Sequence, residues 1–315
     1  MNILVVGGCG YVGGSVINIL KDRKKKFINY DNLLYEDYYL EENNFQFGDV
    51  RDQKLLKKKL QWADSVIWLA AIVGDQACGI NISSTNQINY ESVKFLAKNF
   101  KKKIIFISTC SVYGEQNNIM LSENSNVNPL SLYAKTKLDS EKILSDSNAI
   151  IFRLGTLFGK SQGSSRIRLD LVVNVMTANA FFNKKISVYG GTQFRPLLHV
   201  KDAANIIVKC LNSKKTGIYN LHTTNIKIID IAKNIKDIFP GTKIEIIKTN
   251  IKDTRNYKVS SQKAKVMLNF FPKYTVRNGI IELKKVFEEK RIKNLNLPKF
   301  SNFLYLNNDI NKLKY

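Results

Sequence analysis

Along the first half of the chain, short apolar runs alternate with segments whose apolar positions recur at helical spacing. Asn2–Val6 predicts a strand and Gly10–Leu20 a helix. Phe27–Asp31 and Phe45–Gly48 predict strands, Asp52–Leu60 a helix, and Val66–Ala70 a strand entered from the polar pair Asp64-Ser65. Asn86–Phe100 reads as a long helix, Ile104–Ser108 as a strand, Ser131–Ser145 as a helix and Ile150–Leu154 as a strand. Several of these strands are unbroken apolar runs, as expected where both faces of a sheet are covered. Such strand–helix alternation predicts an α/β fold with a doubly wound parallel sheet.

Beyond residue 155 the pattern is less regular. Ile167–Asn179, Val200–Leu211 and Ile228–Ile238 predict helices, and Ile186–Tyr189, Gly217–Leu221 and Lys243–Ile247 predict strands. No Pro- or Gly-rich linker and no internal repeat divides the chain, so two lobes are expected to intertwine. Residues 295–315 mix Asn, Lys and aromatics without a period, and no element is predicted there.

Composition narrows the class. At 315 residues the chain is long enough to bury a core without disulfides or metals. Apolar residues at 44% and charged residues at 24% argue against a largely disordered chain. No stretch approaches the roughly 18 apolar residues of a membrane helix. The run Ile3–Val6 stops at Gly7-Gly8 with no basic residue before it, unlike a signal peptide. Cysteines at 9, 78, 110 and 210 have neither metal-ligand spacing nor a disulfide framework. A cytoplasmic protein with no metal and no membrane partner is expected.

The net charge of +23 raises the question of a nucleic-acid partner. Nearly all of the excess is Lys, alongside abundant Asn and Ile, which fits an A/T-rich codon bias. Lys24-Lys25-Lys26, Lys57-Lys58-Lys59 and Lys101-Lys102-Lys103 sit where predicted helices end, where cations complement the helix dipole. No nucleic acid is therefore expected, and an anionic small substrate suits a basic protein equally well.

Three segments carry chemistry. Gly7, Gly10 and Gly13 stand in G-x-x-G-x-x-G spacing between the first strand and first helix, where glycines admit a pyrophosphate to the helix N-terminus. Asp31 ends the second strand; a carboxylate there bonds an adenosine ribose and repels a 2′-phosphate, favouring NAD over NADP. Tyr133 and Lys137 are four apart and share a helix face. A neighbouring ammonium is expected to lower the tyrosine pKa and make Tyr133 a base. Thr109, in Ser108–Gly114 after the fifth strand, is placed to hold a substrate hydroxyl, and Cys110 to be a packed thiol.

Gly7/Gly10/Gly13, Asp31, Gly48-Asp49-Val50, Leu69-Ala70-Ala71, Thr109 and Tyr133-x-x-x-Lys137 together resemble the extended short-chain dehydrogenase/reductases, and within them the NAD-dependent nucleotide-sugar epimerases and dehydratases. The resemblance spans nearly the whole chain. It implies a modified Rossmann fold: an NAD-binding domain over residues 1–165, to which 195–222 return, and a smaller substrate lobe from 166–194 and 223–315. It places Tyr11, Val12 and Asn32 with the glycines and Asp31 around NAD. It also implies Asp49 and Val50 at the adenine, and Leu69, Ala70 and Ala71 beneath the pyrophosphate and nicotinamide ribose. Lys137 would bind that ribose as well as tune Tyr133, and Asn89 would support the site. Arg195 and Arg255 would clamp the substrate diphosphate, with Asn174 contacting it and Arg166 and Arg168 assisting. His199 would hold the loop behind Arg195.

Two departures from the family pattern are informative. The 4,6-dehydratases carry Asp-Glu after the active-site Thr, where this chain has Cys110-Ser111. The 3,5-epimerising members use a Cys at the place of Ser111. Oxidation at the sugar C4 is what remains, as a 4-dehydrogenase or a 4-epimerase that returns the hydride. The segments Leu69–Cys78 and Arg166–Asn174 look like a bacterial surface-polysaccharide subgroup, which implies capsule biosynthesis and GDP-heptose as substrate. A homodimer through Asn86–Phe100 and Ser131–Ser145 is implied too. A non-catalytic NAD-binding sensor is the competing reading.

Overall fold

The computed structural model describes residues 1–36, 42–116, 119–163, 165–248, 256–290, 292 and 294–315. Seven strands form the main sheet: β1 (Asn2–Val6), β2 (Lys26–Asp31), β3 (Phe45–Phe47), β4 (Ser65–Trp68), β5 (Lys103–Thr109), β6 (Ala149–Leu154) and β7 (Gly217–Leu221). Their order is β3-β2-β1-β4-β5-β6-β7, and every pair is parallel. The expected α/β fold and doubly wound parallel sheet are what the chain forms. The order reverses at β1, so a crevice opens beyond the strand C-termini between β1 and β4.

The unbroken apolar strands have a direct cause. Ile3 and Val5 of β1 enter the core on one face with Val16 and Leu20, whereas Leu4 and Val6 enter the other with Leu56 and Leu96. All four β1 residues are fully buried. Helices Tyr11–Asp22 and Val200–Lys209 cover the first face together, and β7 extends the sheet edge beside β6.

The second lobe packs helices Val172–Asn183, Ile228–Ile238 and Val276–Glu288 around Phe158, Val188 and Leu197. Three small sheets join it, including the parallel pair Lys185–Tyr189 and Lys243–Ile247.

Three sequence expectations are corrected. The long helix starts earlier, at Ile82 after the cap Asn81, and contains a π-helical turn over Gln87–Glu91 before resuming at Ser92–Asn99. That extra residue in the turn accompanies an inward Asn89, 1% exposed. The helix expected over 167–179 begins at Val172 instead, because Arg168 and Asp170 spend their side chains on each other in an extended segment. Third, the tail is ordered: Ser301 caps helix Asn302–Asn308, and Tyr305, Leu306 and Leu313 enter the core of the dinucleotide lobe rather than the substrate lobe. Among the described residues, no helix is long and apolar enough to cross a membrane.

Candidate active site

One cavity of about 990 Å³ runs along the C-terminal edge of the main sheet and into the second lobe. That is the upper end of the size range for ligand sites.

Its first half is built by the loop after β1. Gly7 has φ +86°, and a Cβ there would lie 2.5 Å from the Ala70 nitrogen. A Cβ on Gly13 would lie 2.4 Å from the Gly8 oxygen. These two glycines let the loop fold onto β4 and itself. Gly10 differs: its Cβ would meet only the Gly7 oxygen, at 3.4 Å. The loop therefore presents bare backbone to the cavity at the N-terminus of helix Tyr11–Asp22, which has no side-chain cap. Tyr11 and Val12 line the cavity, and the Tyr11 hydroxyl donates to the Gly159 carbonyl at 2.5 Å.

Asp31 lies beside this loop at the end of β2. Its carboxylate accepts the Cys9 and Leu33 N–H groups, at 2.9 and 2.8 Å. Burial raises its pKa, and those hydrogen bonds oppose the shift. Asn32 lines the cavity and donates to Asp49 Oδ2 at 2.7 Å. Val50 borders the cavity; Asp49 does not, because Arg51 holds its carboxylate through Nε at 2.9 Å and Nη2 at 2.8 Å. Leu69, Ala70 and Ala71 form the floor, with the Leu69 and Ala70 N–H groups both donating to the Val6 carbonyl. Bare backbone at a helix N-terminus and a carboxylate at the adjacent strand end fit a dinucleotide without a 2′-phosphate.

The middle of the cavity joins two elements. Ser131 caps helix Leu132–Leu144, which presents Tyr133 and Lys137; β5 ends at Thr109. The Ser131 hydroxyl also donates to Asp75 Oδ1 at 2.6 Å, tying the helix start to that of the short helix Asp75–Ile80 after β4. Thr109 is 8% exposed, and its Oγ1 accepts the Ser111 N–H at 3.1 Å. Asn89 accepts the Ile72 N–H at 2.8 Å and donates to the Ile72 carbonyl at 2.9 Å, fixing the loop after β4.

The protonation states differ from the sequence expectation. Lys137 Nζ donates to the Ile107 carbonyl at 2.8 Å and lies 4.8 Å from the Phe106 ring centre. Burial pushes its pKa down to about 8. Tyr133 is raised rather than lowered: burial dominates, Cys78 and Asp75 push the same way, and Arg168 opposes. The cation that opposes this shift most is Arg168. Cys110 is 1% exposed, its thiol donates to the Arg153 carbonyl at 3.2 Å, and burial raises its pKa.

At the far end, Arg195 is 4% exposed, borders the cavity, and donates from Nη1 to the Phe194 carbonyl at 2.9 Å. Arg166 and Arg168 border it as well. Asn174 stands behind the wall: it is fully buried, accepts the Gly159 N–H at 3.0 Å and donates to the Arg168 carbonyl at 2.8 Å. Arg255 lies outside the described residues. His199 is fully buried, stacks on Tyr274 at 4.5 Å and pairs with Glu282 at 3.1 Å. The sequence reading missed Tyr35, Tyr257 and the tail residues Ser301, Asn302 and Phe303, which all line the cavity. Ser301 ahead of the apolar Phe303-Leu304 was the available signal, a helix cap.

The strand order and the glycine loop define a dinucleotide-binding protein of Rossmann type. More specifically, residues 3–221 match the model of the NAD dependent epimerase/dehydratase family, to which the chain belongs. It is an enzyme of that type, with NAD as its cofactor. A UDP-glucose 4-epimerase of Halalkalibacterium halodurans is 27% identical, over 90% of this chain and 94% of the relative. Among solved structures, Pal from Bacillus thuringiensis has a TM-score of 0.80 at 26% identity, covering 92% of this chain and 100% of that one. A UDP-glucose 4-epimerase of Thermotoga maritima, solved with UDP-glucose, has a TM-score of 0.80 at 21% identity, covering 92% and 99%.

Proposed function

We propose that the enzyme oxidises C4 of a nucleotide-linked sugar. The observation that carries this reading is the meeting of Thr109, Tyr133 and Lys137 on one cavity that also takes Asp31 at one end and Arg195 at the other. Bound along the glycine loop and Asp31, NAD supplies the hydride acceptor. Tyr133 takes the proton of the C4 hydroxyl, and Thr109 Oγ1 orients that hydroxyl. Lys137 and Arg168 supply the positive charge that favours the phenolate. Arg195 and Arg255 take the substrate diphosphate, for which a guanidinium fork is suited.

Cys110-Ser111 supports oxidation over elimination, because a buried thiol and a hydroxyl replace the carboxyl pair that water loss requires. The favoured substrate is GDP-heptose, the product a 4-keto sugar for surface-polysaccharide biosynthesis, and the setting a cytoplasmic homodimer. The name of the Halalkalibacterium relative favours a second reading, a 4-epimerase that returns the hydride.

Turnover on GDP-, UDP-, CDP- and dTDP-sugars, GDP-heptose included, separates these. Net NADH with a 4-keto product identifies the dehydrogenase. An epimer without net NADH identifies the epimerase. No reaction on any sugar overturns the proposal and leaves a non-catalytic NAD-binding protein.

A further inference from the structure

The arginines on the wall between the two lobes are held by the tail. Arg166 donates from Nη1 to the Lys299 carbonyl at 2.8 Å and from Nη2 to Asn302 Oδ1, and lies 4.6 Å above the Tyr35 ring. Arg168 donates from Nε and Nη2 to the two oxygens of Asp170, at 2.9 and 3.0 Å. Its Nη1 has no hydrogen-bond partner among the described residues.

Asn302 touches both halves of this pair. It accepts from Arg166, its own N–H donates to Asp170 Oδ2 at 2.9 Å, and its Nδ2 donates to the Val73 carbonyl at 2.9 Å. At 4% exposure it has no room to relax elsewhere. Asp170 thus bonds Arg168, while Arg166 is bonded by neutral groups of the tail and feels the charges of Asp170 and Glu36. A guanidinium pair with unused N–H groups, one of them bonded only by neutral groups, is stabilised when an anion arrives.

We propose that Asn302 is a positioning residue that holds the Arg166/Arg168 pair toward the cavity, so that the tail completes a diphosphate-binding wall. The diphosphate is the pyrophosphate of the dinucleotide or that of the nucleotide sugar. Only the second source rests on the proposed function.

The test measures binding of GDP, UDP and NAD, each separately, by calorimetry on wild type, Asn302→Ala, Arg166→Ala and the double variant. Loss of Asn302 is expected to weaken at least one of these ligands by roughly tenfold or more. Because Asn302 acts through Arg166, the double variant is expected to fall no further than Arg166→Ala alone. Loss for GDP and UDP assigns the wall to the substrate, and loss for NAD assigns it to the cofactor. Unchanged affinity for all three, or losses that add in the double variant, overturns the proposal. If Asn302→Ala does not fold, Asn302→Ser, with a shorter acceptor, takes its place in the same cycle. Wild type that binds NAD but neither GDP nor UDP would sink the GDP- and UDP-sugar readings, while the NAD arm still decides the role of Asn302.

Discussion

Glu141 grips Arg153 through three contacts, Nη2 to Oε2 at 2.6 Å and Nε to Oε1 at 3.0 Å and Oε2 at 3.1 Å, and so locks the helix bearing Tyr133 and Lys137 onto β6. Both side chains are nearly inaccessible, at 2% and 4%. Ser108, the neighbour of Thr109 on β5, donates to the same carboxylate. Tyr133, Lys137 and Thr109 are thereby held in one frame by a buried ion pair. Glu141→Ala leaves a buried guanidinium unpaired, and is expected to cost about 3–5 kcal/mol and to lower kcat. Urea unfolding measures the first effect. A cost within experimental error would mean that the pair does not hold the frame.

Tyr133→Phe removes only a hydroxyl from a residue between two packed elements. It is expected to lower kcat roughly 10²–10⁴-fold, the usual worth of a general base, without changing NAD affinity. Steady-state kinetics and an NAD titration on the same preparation check both. Full turnover in this variant would remove Tyr133 from the mechanism.

The glycines of the loop are expected to fail in different ways. A methyl on Gly13 would collide with the Gly8 backbone, 2.4 Å away, and backbone cannot step aside as a flexible side chain can. Gly13→Ala should therefore lose about 1–3 kcal/mol of stability. Gly10→Ala meets only the Gly7 oxygen, at 3.4 Å, an ordinary contact, and should leave the unfolding midpoint near wild type. Its methyl occupies the cavity side of the loop, so NAD binding should weaken by roughly tenfold, about 1.4 kcal/mol. Denaturation and NAD calorimetry on both variants would expose the error if their effects were the same.

Lys137 makes stability depend on pH in a defined window. Burial lowers its pKa from 10.5 to about 8. Below about 8 both folded and unfolded chains carry this proton, and the burial penalty is present in full. Between about 8 and 10.5 the unfolded chain binds more protons, so this group makes stability rise with pH. Relative to Lys137→Met, wild type should gain up to about 3 kcal/mol across that window. Urea unfolding at several pH values in that range measures it, and a constant difference between the two proteins would contradict the assignment.

The chain's own pattern determined most of the frame. Unbroken apolar runs such as Ile3–Val6 require a sheet buried on both faces, and their alternation with amphipathic helices requires parallel order. Local backbone chemistry determined the glycine loop, because Gly7 and Gly13 are needed wherever the chain crosses itself that closely. The i, i+4 spacing placed Tyr133 and Lys137 on one helix face. What tertiary structure alone decided is how these groups act on one another. Lys137 donates to the Ile107 carbonyl and burial raises the pKa of Tyr133, so the strongest opposing charge comes from Arg168, 35 residues away in sequence. Asp49 and Asn174 spend their polar atoms on protein partners that no spacing reveals. The tail shows the same limit: Asn302 has no periodic signature, and its role arises only where Val73, Arg166 and Asp170 converge on it. Periodicity records which side of an element is buried; it holds no record of which distant polar groups that burial brings together.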